Sequence, residues 1–341
     1  MNWRLLTGDV RDSLRTLPAD SARTCVTSPP YWGLRDYGVE GQLGLEPTPD
    51  AYVAAMVEVF REVRRVLAED GTLWLNLGDS YAGGGGFAPD APCNVERRER
   101  IASGDANSQT FKLSSRQHER NKSGGIRPQG DIKAKDLVGI PWMVAFALRA
   151  DGWYLRSDII WSKPNPMPES VTDRPTKAHE YLFLLSKAQT YYYDAAAIAE
   201  GISDVSLQRI NQSTFAAQKG GPKDYGTTGV NVNRSMRQTL ENFAENNTGT
   251  RNKRSVWTIA TQPYPDAHFA TFPEALIEPC ILAGSALEDT ILDPFTGSGT
   301  TGAVAIRHQR SFVGCELNPV YVELARQRIG AVAPLLAQEV A

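Results

Sequence analysis

The feature that most restricts the fold of this chain is a strand that runs into a glycine-rich turn and then into a helix. The turn occupies residues 293–301 (DPFTGSGTT), between the apolar segment TILD and the helical pattern TGAVAIRHQ. Glycines in such a turn let the backbone approach a ligand closely, and the helix start presents unpaired N–H groups. Glu316 ends the next apolar segment about 20 residues later, where acids of nucleotide-binding units accept hydrogen bonds from ribose hydroxyls. No Gly-Lys-Ser/Thr follows, so the pattern predicts a nucleoside-cofactor site other than a P-loop.

Strand and helix patterns alternate along most of the chain, which predicts a largely parallel sheet. Apolar residues recur at helical spacing over 50–68, and the Asp-Gly pair at 70–71 is predicted to end that helix. Two polar stretches, 82–135 and 195–255, interrupt one sheet rather than separate two cores. The other predicted elements are strands over 3–7, 22–27, 72–78, 154–163, 180–187, 290–293 and 311–316, and helices over 141–152, 273–284, 301–309 and 319–330.

Length and composition are typical of a protein from a reducing compartment. With 341 residues, 41% of them hydrophobic, the chain can bury a sizeable core without disulfide or metal staples. No apolar run reaches the roughly 20 residues of a membrane span, and the N-terminus lacks the apolar core of a signal peptide. We therefore expect no membrane partner. The cysteines form no CxxC pair and the histidines lack ligand spacing, so no metal site is predicted at Cys25, Cys93, Cys280, Cys315, His118, His179, His268 or His308.

The net charge of −3 conceals two positive segments. Residues 94–135 carry +5 and residues 201–255 carry +4, so the rest of the chain sums to −12. Positive segments on an acidic body favour an anionic partner that binds at those segments. Solvated flexible loops are the alternative that composition alone leaves open.

A second constellation, SPPYW at residues 28–32, follows the predicted strand 22–27. Two consecutive prolines end the strand and fix a rigid turn whose carbonyls have no sheet partner. The serine oxygen adds an acceptor, and the two aromatic rings supply flat apolar faces. Such a turn suits a planar heterocycle with an exocyclic amine, although in isolation it would be read as a plain turn with buried aromatics.

Together, the SPPY and DPFTGSGTT elements resemble the motifs of the β-group amino-methyltransferases of DNA. That family uses S-adenosylmethionine to methylate cytosine N4 or adenine N6. It keeps a (Ser/Asp/Asn)-Pro-Pro-Tyr motif ahead of a DPFxGSGTT motif, which is the order found here. Further similarity lies in Gly8-Asp9 and in the segments RRVLAEDGTLWLNLGDSY, VGIPWMVAFALRADGWYLRSDIIWSKPNPMPES, RPTKAHEYLFLLSK, HFATFPEALIEPCILAG and VGCELNPVYVELARQRI.

The resemblance implies a Rossmann-like, S-adenosylmethionine-dependent methyltransferase fold of the α/β class. We expect a seven-stranded, mostly parallel sheet with one antiparallel strand and a circularly permuted motif order. The catalytic half would comprise 1–81 and 136–194, and the cofactor-binding half 257–341. Residues 195–256 would form the target-recognition region, and 82–135 a polar basic insertion that either contacts DNA or is a disordered spacer.

The matching motifs also imply site residues. The target base must leave the duplex, because its amine cannot meet the methyl donor while stacked; it would be held by Ser28, Pro29, Pro30 and Tyr31. Glu316 would hold the ribose of S-adenosylmethionine, Asp9 and Leu317 would flank the adenine, and the methionine end would be bound by Phe272, Pro273, Asp293, Phe295, Gly297, Gly299 and Thr300. Polar side chains that suit base edges and an aromatic ring beside the base predict contacts to double-stranded DNA at Trp32, Asn231, Asn233 and Arg234.

Ser28 favours cytosine N4 as the target, because adenine-N6 members of the family mostly carry Asp or Asn there; the adenine-N6 alternative stays open. Methylation of cytosine C5 is not expected, because it needs a thiolate beside the base and Cys25 lies within a strand. A protein-amide methyltransferase would carry Asn first. A catalytically inert DNA-binding protein of this fold is a less favoured alternative. We expect a cytoplasmic protein at nucleoid DNA, and the resemblance allows a homodimer and a cognate restriction endonuclease as partners.

Overall fold

The computed structural model describes most of the chain, namely residues 1–34, 38–83, 130–202, 250–262, 272–334 and 338–340. The chain divides into two units. The larger joins Met1–Tyr193 to Ser255–Ala341, and the smaller is Asp194–Arg254.

Within the described ranges, the larger unit contains the predicted strands and helices in their predicted order. A short helix at Val10–Arg15 and two short strands, Val256–Thr258 and Gln338–Glu339, were not predicted. Its helices are α1 (Val10–Arg15), α2 (Pro49–Val66), α3 (Ile140–Ala150), α4 (Glu274–Gly284), α5 (Thr300–Arg307) and α6 (Pro319–Val332). Its strands are β1 (Asn2–Thr7), β2 (Ala22–Thr27), β3 (Leu67–Leu77), β4 (Tyr154–Ser162), β5 (His179–Ser186), β8 (Val256–Thr258), β9 (Thr290–Asp293), β10 (Ser311–Glu316) and β11 (Gln338–Glu339).

These strands form one sheet in the order β11-β1-β10-β9-β2-β3-β5-β4-β8. Strand β5 is antiparallel to both of its neighbours, and every other pair in the sheet is parallel. The α/β class and the single antiparallel strand are therefore confirmed. The predicted number of seven strands was wrong, because the short strands β8 and β11 extend the two edges.

Helices cover both faces of the sheet. Side chains alternate across a strand, so Leu73 and Leu75 of β3 join the buried cluster that contains Val59 of α2. Trp74, between them, lies against Gly284 of α4, where its indole nitrogen would be 3.0 Å from an added Cβ. The central strands are buried on both faces, which explains their nearly continuous apolar sequences.

Helix α2 shows why the local sequence produces these elements. Thr48 caps its N-terminus by accepting a hydrogen bond from the backbone N–H of Ala51, and Pro49 occupies the first turn. The prediction that the helix runs to 68 and is ended by the Asp-Gly pair was wrong. Strand β3 begins at Leu67 and continues through 70–71, because the apolar residues on either side of that pair belong to one buried strand.

The fold brings distant parts of the chain to one edge of the sheet. Parallel neighbours end at the same edge, and the antiparallel strand β5 begins there. Strands β2 and β9 are adjacent, with Cys25 opposite Leu292, so the proline turn after β2 and the glycine turn after β9 lie side by side. This edge also receives the ends of β1, β10, β3 and β4 and the start of β5.

The smaller unit contains the antiparallel pair β6 (Glu200–Gly201) and β7 (Thr250–Arg251). The Glu200 carboxylate lies 3.5 Å from Arg251, 3.6 Å from Lys253 and 3.6 Å from Arg254. Most of the predicted target-recognition region lies outside the described residues, as does most of the 82–135 insertion.

Candidate active site

A cleft of about 710 Å³ opens at the edge of the sheet where the strand ends converge. Both predicted motifs line it. From the proline turn come Ser28, Pro29, Pro30 and Tyr31, and from the predicted cofactor set come Asp9, Phe272, Phe295, Gly297, Thr300, Glu316 and Leu317. The structure therefore brings together eleven residues that sequence reasoning placed in one site.

The proline turn is fixed from behind by packing and by one hydrogen bond. The buried Tyr52 of α2 donates its hydroxyl to the Pro30 carbonyl at 2.8 Å. The ring of Tyr31 lies against Gly78 at the end of β3, where an added Cβ would come within 2.5 Å of the ring. Gly78 is thus required to leave room for the tyrosine, and the turn is held in one position at the floor of the cleft.

A chain of hydrogen bonds leads away from Ser28. Its hydroxyl donates to the Tyr31 hydroxyl at 3.3 Å, and Tyr31 in turn lies 2.8 Å from a Glu180 carboxylate oxygen and 3.0 Å from the Asn76 amide oxygen. Lys163 binds the other oxygen of Glu180. Burial, and then the charge of Glu180, raise the pKa of Tyr31 well above its ordinary value. The phenol therefore stays protonated and acts as a donor.

Asp293 occupies a different place from the one predicted. Its side chain is fully buried and does not line the cleft. It accepts hydrogen bonds from the Thr27 hydroxyl at 2.6 Å, the Thr301 hydroxyl at 2.6 Å and the Phe295 N–H at 3.0 Å. The pKa is raised to about 6, mainly because burial disfavours the charged form. Since Thr27 directly precedes Ser28, Asp293 links the proline turn to the glycine turn.

The two glycines of the turn differ in what they face. Gly297 has φ +52° and lines the cleft, with nothing closer than 4.0 Å to an added Cβ. Gly299 has φ +81° and packs on α6, where an added Cβ would lie 2.9 Å from Ala325 Cα. The prediction that Gly299 lines the cofactor pocket is therefore corrected: it allows α5 to approach α6, and Thr300 begins that helix at the cleft.

Glu316 and Asp9 are both held by backbone N–H groups. Glu316, at the end of β10, accepts from the N–H groups of Gly297 and Asn318, each at 2.8 Å. Burial raises the pKa of Glu316. Asp9 caps α1 and is bound by Arg11, whose side-chain hydrogen bonds lower the pKa of Asp9. Both carboxylates have fixed orientations at the cofactor side of the cleft.

Several predicted residues do not reach the cleft. Pro273 is buried at the start of α4. Trp32 is 5% exposed and donates its indole N–H to the Glu46 carbonyl at 2.8 Å, so we assign it to packing rather than to DNA contact. The remaining predicted DNA contacts, Asn231, Asn233 and Arg234, lie outside the described residues.

Sequence reasoning assigned no role to the residues that form the wall opposite the cofactor turn, which are Asn76, Trp161, Lys163, Glu180 and Gln262. Asn76 and Lys163 lie near the ends of β3 and β4, a position at which polar side chains could have been noticed. Glu180 was hidden because it lies at the start of a strand. It reaches the same edge only because β5 runs antiparallel to its neighbours.

Cys25 is fully buried in the core, and burial raises the pKa of its thiol well above the ordinary value. It is therefore a poor nucleophile, in keeping with its prediction as a core residue. Within the described ranges, no three His, Cys, Asp or Glu side chains lie close enough together to hold a metal ion. The helices of the described part are all too short or too polar to cross a membrane.

The residues at the cofactor side fit S-adenosylmethionine. Glu316 supplies a half-buried carboxylate at a strand end, the position that binds ribose hydroxyls in nucleotide-binding α/β units. Val10, Phe295 and Leu317 provide apolar walls, and Gly297 leaves its side of the cleft open. A planar base needs such walls and a small number of placed polar groups. Fold and site together define a nucleoside-cofactor methyltransferase.

Comparison with known proteins gives the family. The chain matches the N6/N4 DNA methylase family over residues 22–327 and belongs to it. It is 44% identical over 327 residues to the type II methyltransferase M.Cfr9I of Citrobacter freundii, which covers 95% of this chain and 87% of that one. It is 42% identical over 331 residues to M.SmaI of Serratia marcescens, with 96% and 90% covered. The protein is therefore a DNA methyltransferase that uses S-adenosylmethionine.

Solved structures with the same fold agree. A putative DNA modification methylase from Thermus thermophilus, complexed with S-adenosylmethionine, aligns with a TM-score of 0.55 at 21% identity and covers 99% of this chain and 100% of its own. The PvuII cytosine-N4-specific DNA methyltransferase aligns with a TM-score of 0.57 at 15% identity, with 99% and 96% covered. At these identities the likeness concerns the fold.

Proposed function

We propose that the enzyme transfers a methyl group from S-adenosylmethionine to the exocyclic N4 amine of a cytosine flipped out of double-stranded DNA. The observation that carries this proposal is Ser28, an uncharged hydroxyl at the floor of the cleft, followed by two prolines and a ring that can stack on a base. Adenine-N6 enzymes of the family mostly place a carboxylate or an amide at this position. A serine therefore favours cytosine over adenine.

The chemistry needs an exocyclic nitrogen whose lone pair is free to attack. That lone pair is delocalised into the ring, so hydrogen bonds that favour a pyramidal nitrogen raise its nucleophilicity. Ser28 and Pro29 both line the cleft, and Ser28 Oγ and the Pro29 carbonyl would accept the two amine hydrogens. The bound cofactor supplies an electrophilic methyl group on a positively charged sulfur. Catalysis is then mainly positioning and electrostatic stabilisation, and the face of Tyr31 suits both the base and the passing cation.

The remaining predicted roles fit this proposal. Glu316 would bind the ribose, Asp9 and Leu317 would flank the adenine, and Phe272, Phe295, Gly297 and Thr300 would surround the methionine end. The 195–256 segment, with its positive charge, would recognise the target sequence. A homodimer and a cognate restriction endonuclease are proposed partners, with the enzyme acting on DNA in the cytoplasm.

The direct test is to incubate the protein with unmethylated DNA and S-adenosylmethionine, digest the DNA to nucleosides and weigh them by mass spectrometry. N4-methylcytosine is the expected product, and mapping the modified positions gives the recognition sequence. N6-methyladenine would overturn the argument from Ser28 while leaving the fold and cofactor in place. Absence of any methylated nucleoside on DNA of varied sequence would reject DNA as the substrate.

Two variants test the division of the cleft into a base side and a cofactor side. Ser28→Ala and Tyr31→Ala should abolish transfer while S-adenosylmethionine binding, measured by calorimetry, stays near normal. The control is Ser21→Ala, which removes an exposed hydroxyl that donates to the nearby Pro18 carbonyl and should retain full activity. Loss of cofactor binding in the Tyr31 variant would contradict the division.

A further inference from the structure

The hydrogen-bond chain behind Ser28 ends at an ion pair that sequence reasoning did not assign to the reaction. Ser28 Oγ, Tyr31 Oη and Glu180 Oε2 follow one another at 3.3 and 2.8 Å, and Lys163 holds the second carboxylate oxygen. The Glu180 and Lys163 side chains are 16% and 17% exposed. All four residues line the cleft.

The chain has a direction, because each hydroxyl carries one hydrogen. An ionised carboxylate can only accept, so Tyr31 donates to Glu180, and Ser28 donates to Tyr31. The Asn76 amide oxygen, 3.0 Å from the Tyr31 hydroxyl, is also an acceptor and does not reverse the order. Ser28 Oγ therefore donates its hydrogen to Tyr31, and its lone pairs can accept a hydrogen bond from a donor such as an amine.

We propose that Glu180 is a positioning residue and the final proton acceptor of methyl transfer, acting through Tyr31 and Ser28. This inference rests on the proposed methylation of an exocyclic amine but not on which base carries that amine. Lys163 pairs with the carboxylate and fixes its orientation, which a lone glutamate in a cleft would lose.

The proton transfers balance. As the amine nitrogen uses its lone pair to form the new N–C bond, the C–S bond breaks and its electron pair stays on sulfur. The nitrogen then carries a positive charge and an acidic hydrogen. That proton passes to Ser28 Oγ, the Ser28 hydrogen passes to Tyr31 Oη, and the Tyr31 hydrogen passes to Glu180 Oε2. The methylated amine and the carboxylic acid are both neutral, and the partly exposed acid returns its proton to water.

The test compares single-turnover methyl transfer in three variants. Glu180→Gln keeps the shape of the side chain and removes its charge, and Tyr31→Phe breaks the chain while keeping the ring and the Glu180–Lys163 pair. Each should lower the rate by about 100-fold, the usual range for a lost proton acceptor, with S-adenosylmethionine affinity unchanged. The double variant should be no slower than either single one, because the two groups act as a unit. Glu323→Gln, which alters a surface glutamate of α6 paired with Arg326, serves as the control with wild-type rate.

Three results would overturn the proposal. The first is a single-turnover rate of Glu180→Gln within about twofold of wild type. The second is a double variant whose loss of rate equals the product of the two single losses. The third is a loss of rate in Glu180→Gln that is explained by weaker binding of S-adenosylmethionine. Should Glu180→Gln fail to fold, the solvent deuterium isotope effect decides, because wild type should show one and Tyr31→Phe should not; equal effects would reject the chain. Wild-type protein that forms N6-methyladenine leaves this inference standing, whereas wild type without any transfer removes it together with the proposed function.

Discussion

Two carboxylates are linked by hydrogen bonds to the proline turn and to the residue before it: Asp293, buried behind the glycine turn, and Glu180, in the wall of the cleft. The two are held in different ways. Asp293 is fully buried and has uncharged donors, two threonine hydroxyls and one backbone N–H. Glu180 is partly exposed and paired with Lys163. A charge with only neutral donors in a buried site is expensive to maintain, and the raised pKa of Asp293, about 6, reflects this.

The two carboxylates therefore have different roles: Asp293 links structural elements, and Glu180 is the proposed proton acceptor. Asp293 joins β2 to the glycine turn and has no access to the cleft, so it acts on structure and on both ligand sides together. Glu180 faces the cleft and is connected to Ser28 only through hydroxyl groups, so it acts on the chemical step. Variants of Asp293 should therefore change folding stability first, whereas variants of Glu180 should change turnover with little effect on stability.

The largest effect is expected for Asp293→Ala. This change leaves two hydroxyls and one N–H without their acceptor in the core, and each buried unsatisfied group costs about 1–3 kcal/mol. We expect the free energy of unfolding, measured by urea denaturation, to fall by at least about 3 kcal/mol. The affinity for S-adenosylmethionine and the rate of methyl transfer should fall together.

The matched variant is Asp293→Asn, which keeps the shape and one acceptor oxygen. The hydroxyls of Thr27 and Thr301 can rotate to suit the amide, so most of the lost stability should be restored. An Asp293→Ala protein with normal stability but lost cofactor binding would show that Asp293 contacts the cofactor after all, as the motif resemblance first suggested.

The next prediction concerns the pH dependence of stability that the buried Asp293 should produce. The pKa of Asp293 is raised from 3.8 to about 6, so between these values the folded state keeps a proton that the unfolded state has lost. The contribution of this group to the free energy of unfolding therefore falls as pH rises through the window, by about 3 kcal/mol in total. Above about pH 6 that contribution is gone.

Asp293→Asn does not titrate, so it isolates this contribution. Relative to wild type, its free energy of unfolding should rise by about 3 kcal/mol between about pH 4 and pH 7, because wild type loses stability over this range and the variant does not. Urea denaturation of both proteins at a series of pH values measures the difference. A difference that does not change with pH would mean that the hydrogen bonds of Thr27, Thr301 and Phe295 offset the cost of burying the charge, so that the pKa is not raised.

A third effect concerns the two glycines of the glycine turn that follows Asp293. Gly299→Ala places a Cβ 2.9 Å from the Ala325 backbone at φ +81°, so we expect a loss of about 3 kcal/mol from strain and overpacking. Gly297→Ala has open space and φ +52°, so only about 1 kcal/mol should be lost. Because Gly297 lines the cleft, its variant should weaken cofactor binding more than its stability loss explains. Equal stability losses would contradict this assignment.

The sequence predicted the side of the cleft formed by the glycine and proline turns better than the wall that contains Lys163 and Glu180. The glycine turn, Glu316 and the proline turn each follow a strand directly, and parallel strands end at one edge, so local patterns were enough to bring them together. What local pattern could not show was the direction of each side chain. Asp293 and Gly299 belong to the turn, yet they face the core and α6, because neighbouring residues in a turn point in different directions.

The opposite wall needed the strand order. Glu180 is the second residue of β5 and Lys163 follows β4. The two side chains meet because those strands pair antiparallel, with Ser162 opposite His179. The prediction that Trp32 contacts DNA failed for another reason. An aromatic residue beside a site motif packs into the core as readily as it faces a ligand. Its burial is decided by α2 and by the loop that contains Glu46, which the pentapeptide itself does not reveal.

The smallest effect should come from Tyr52→Phe, which removes the uncharged hydrogen bond that holds the Pro30 carbonyl. The ring stays in the core, so the free energy of unfolding should fall by only about 1 kcal/mol. The single-turnover rate should fall several-fold, because a looser proline turn places Ser28 and the Pro29 carbonyl less accurately. Cofactor affinity, measured by calorimetry, should not change.

The control for this variant is Tyr191→Phe, which removes a hydroxyl that accepts a bond from Arg156 at the surface. It should match wild type in rate. Comparison with Tyr31→Phe then shows which hydroxyl at the proline turn matters more for the rate, that of Tyr52 or that of Tyr31. If Tyr52→Phe slowed transfer as much as Tyr31→Phe, the hydroxyl of Tyr31 would matter only for holding the turn in place. A much smaller effect at Tyr52, with an intact solvent isotope effect, is what a directed chain from Ser28 to Glu180 requires.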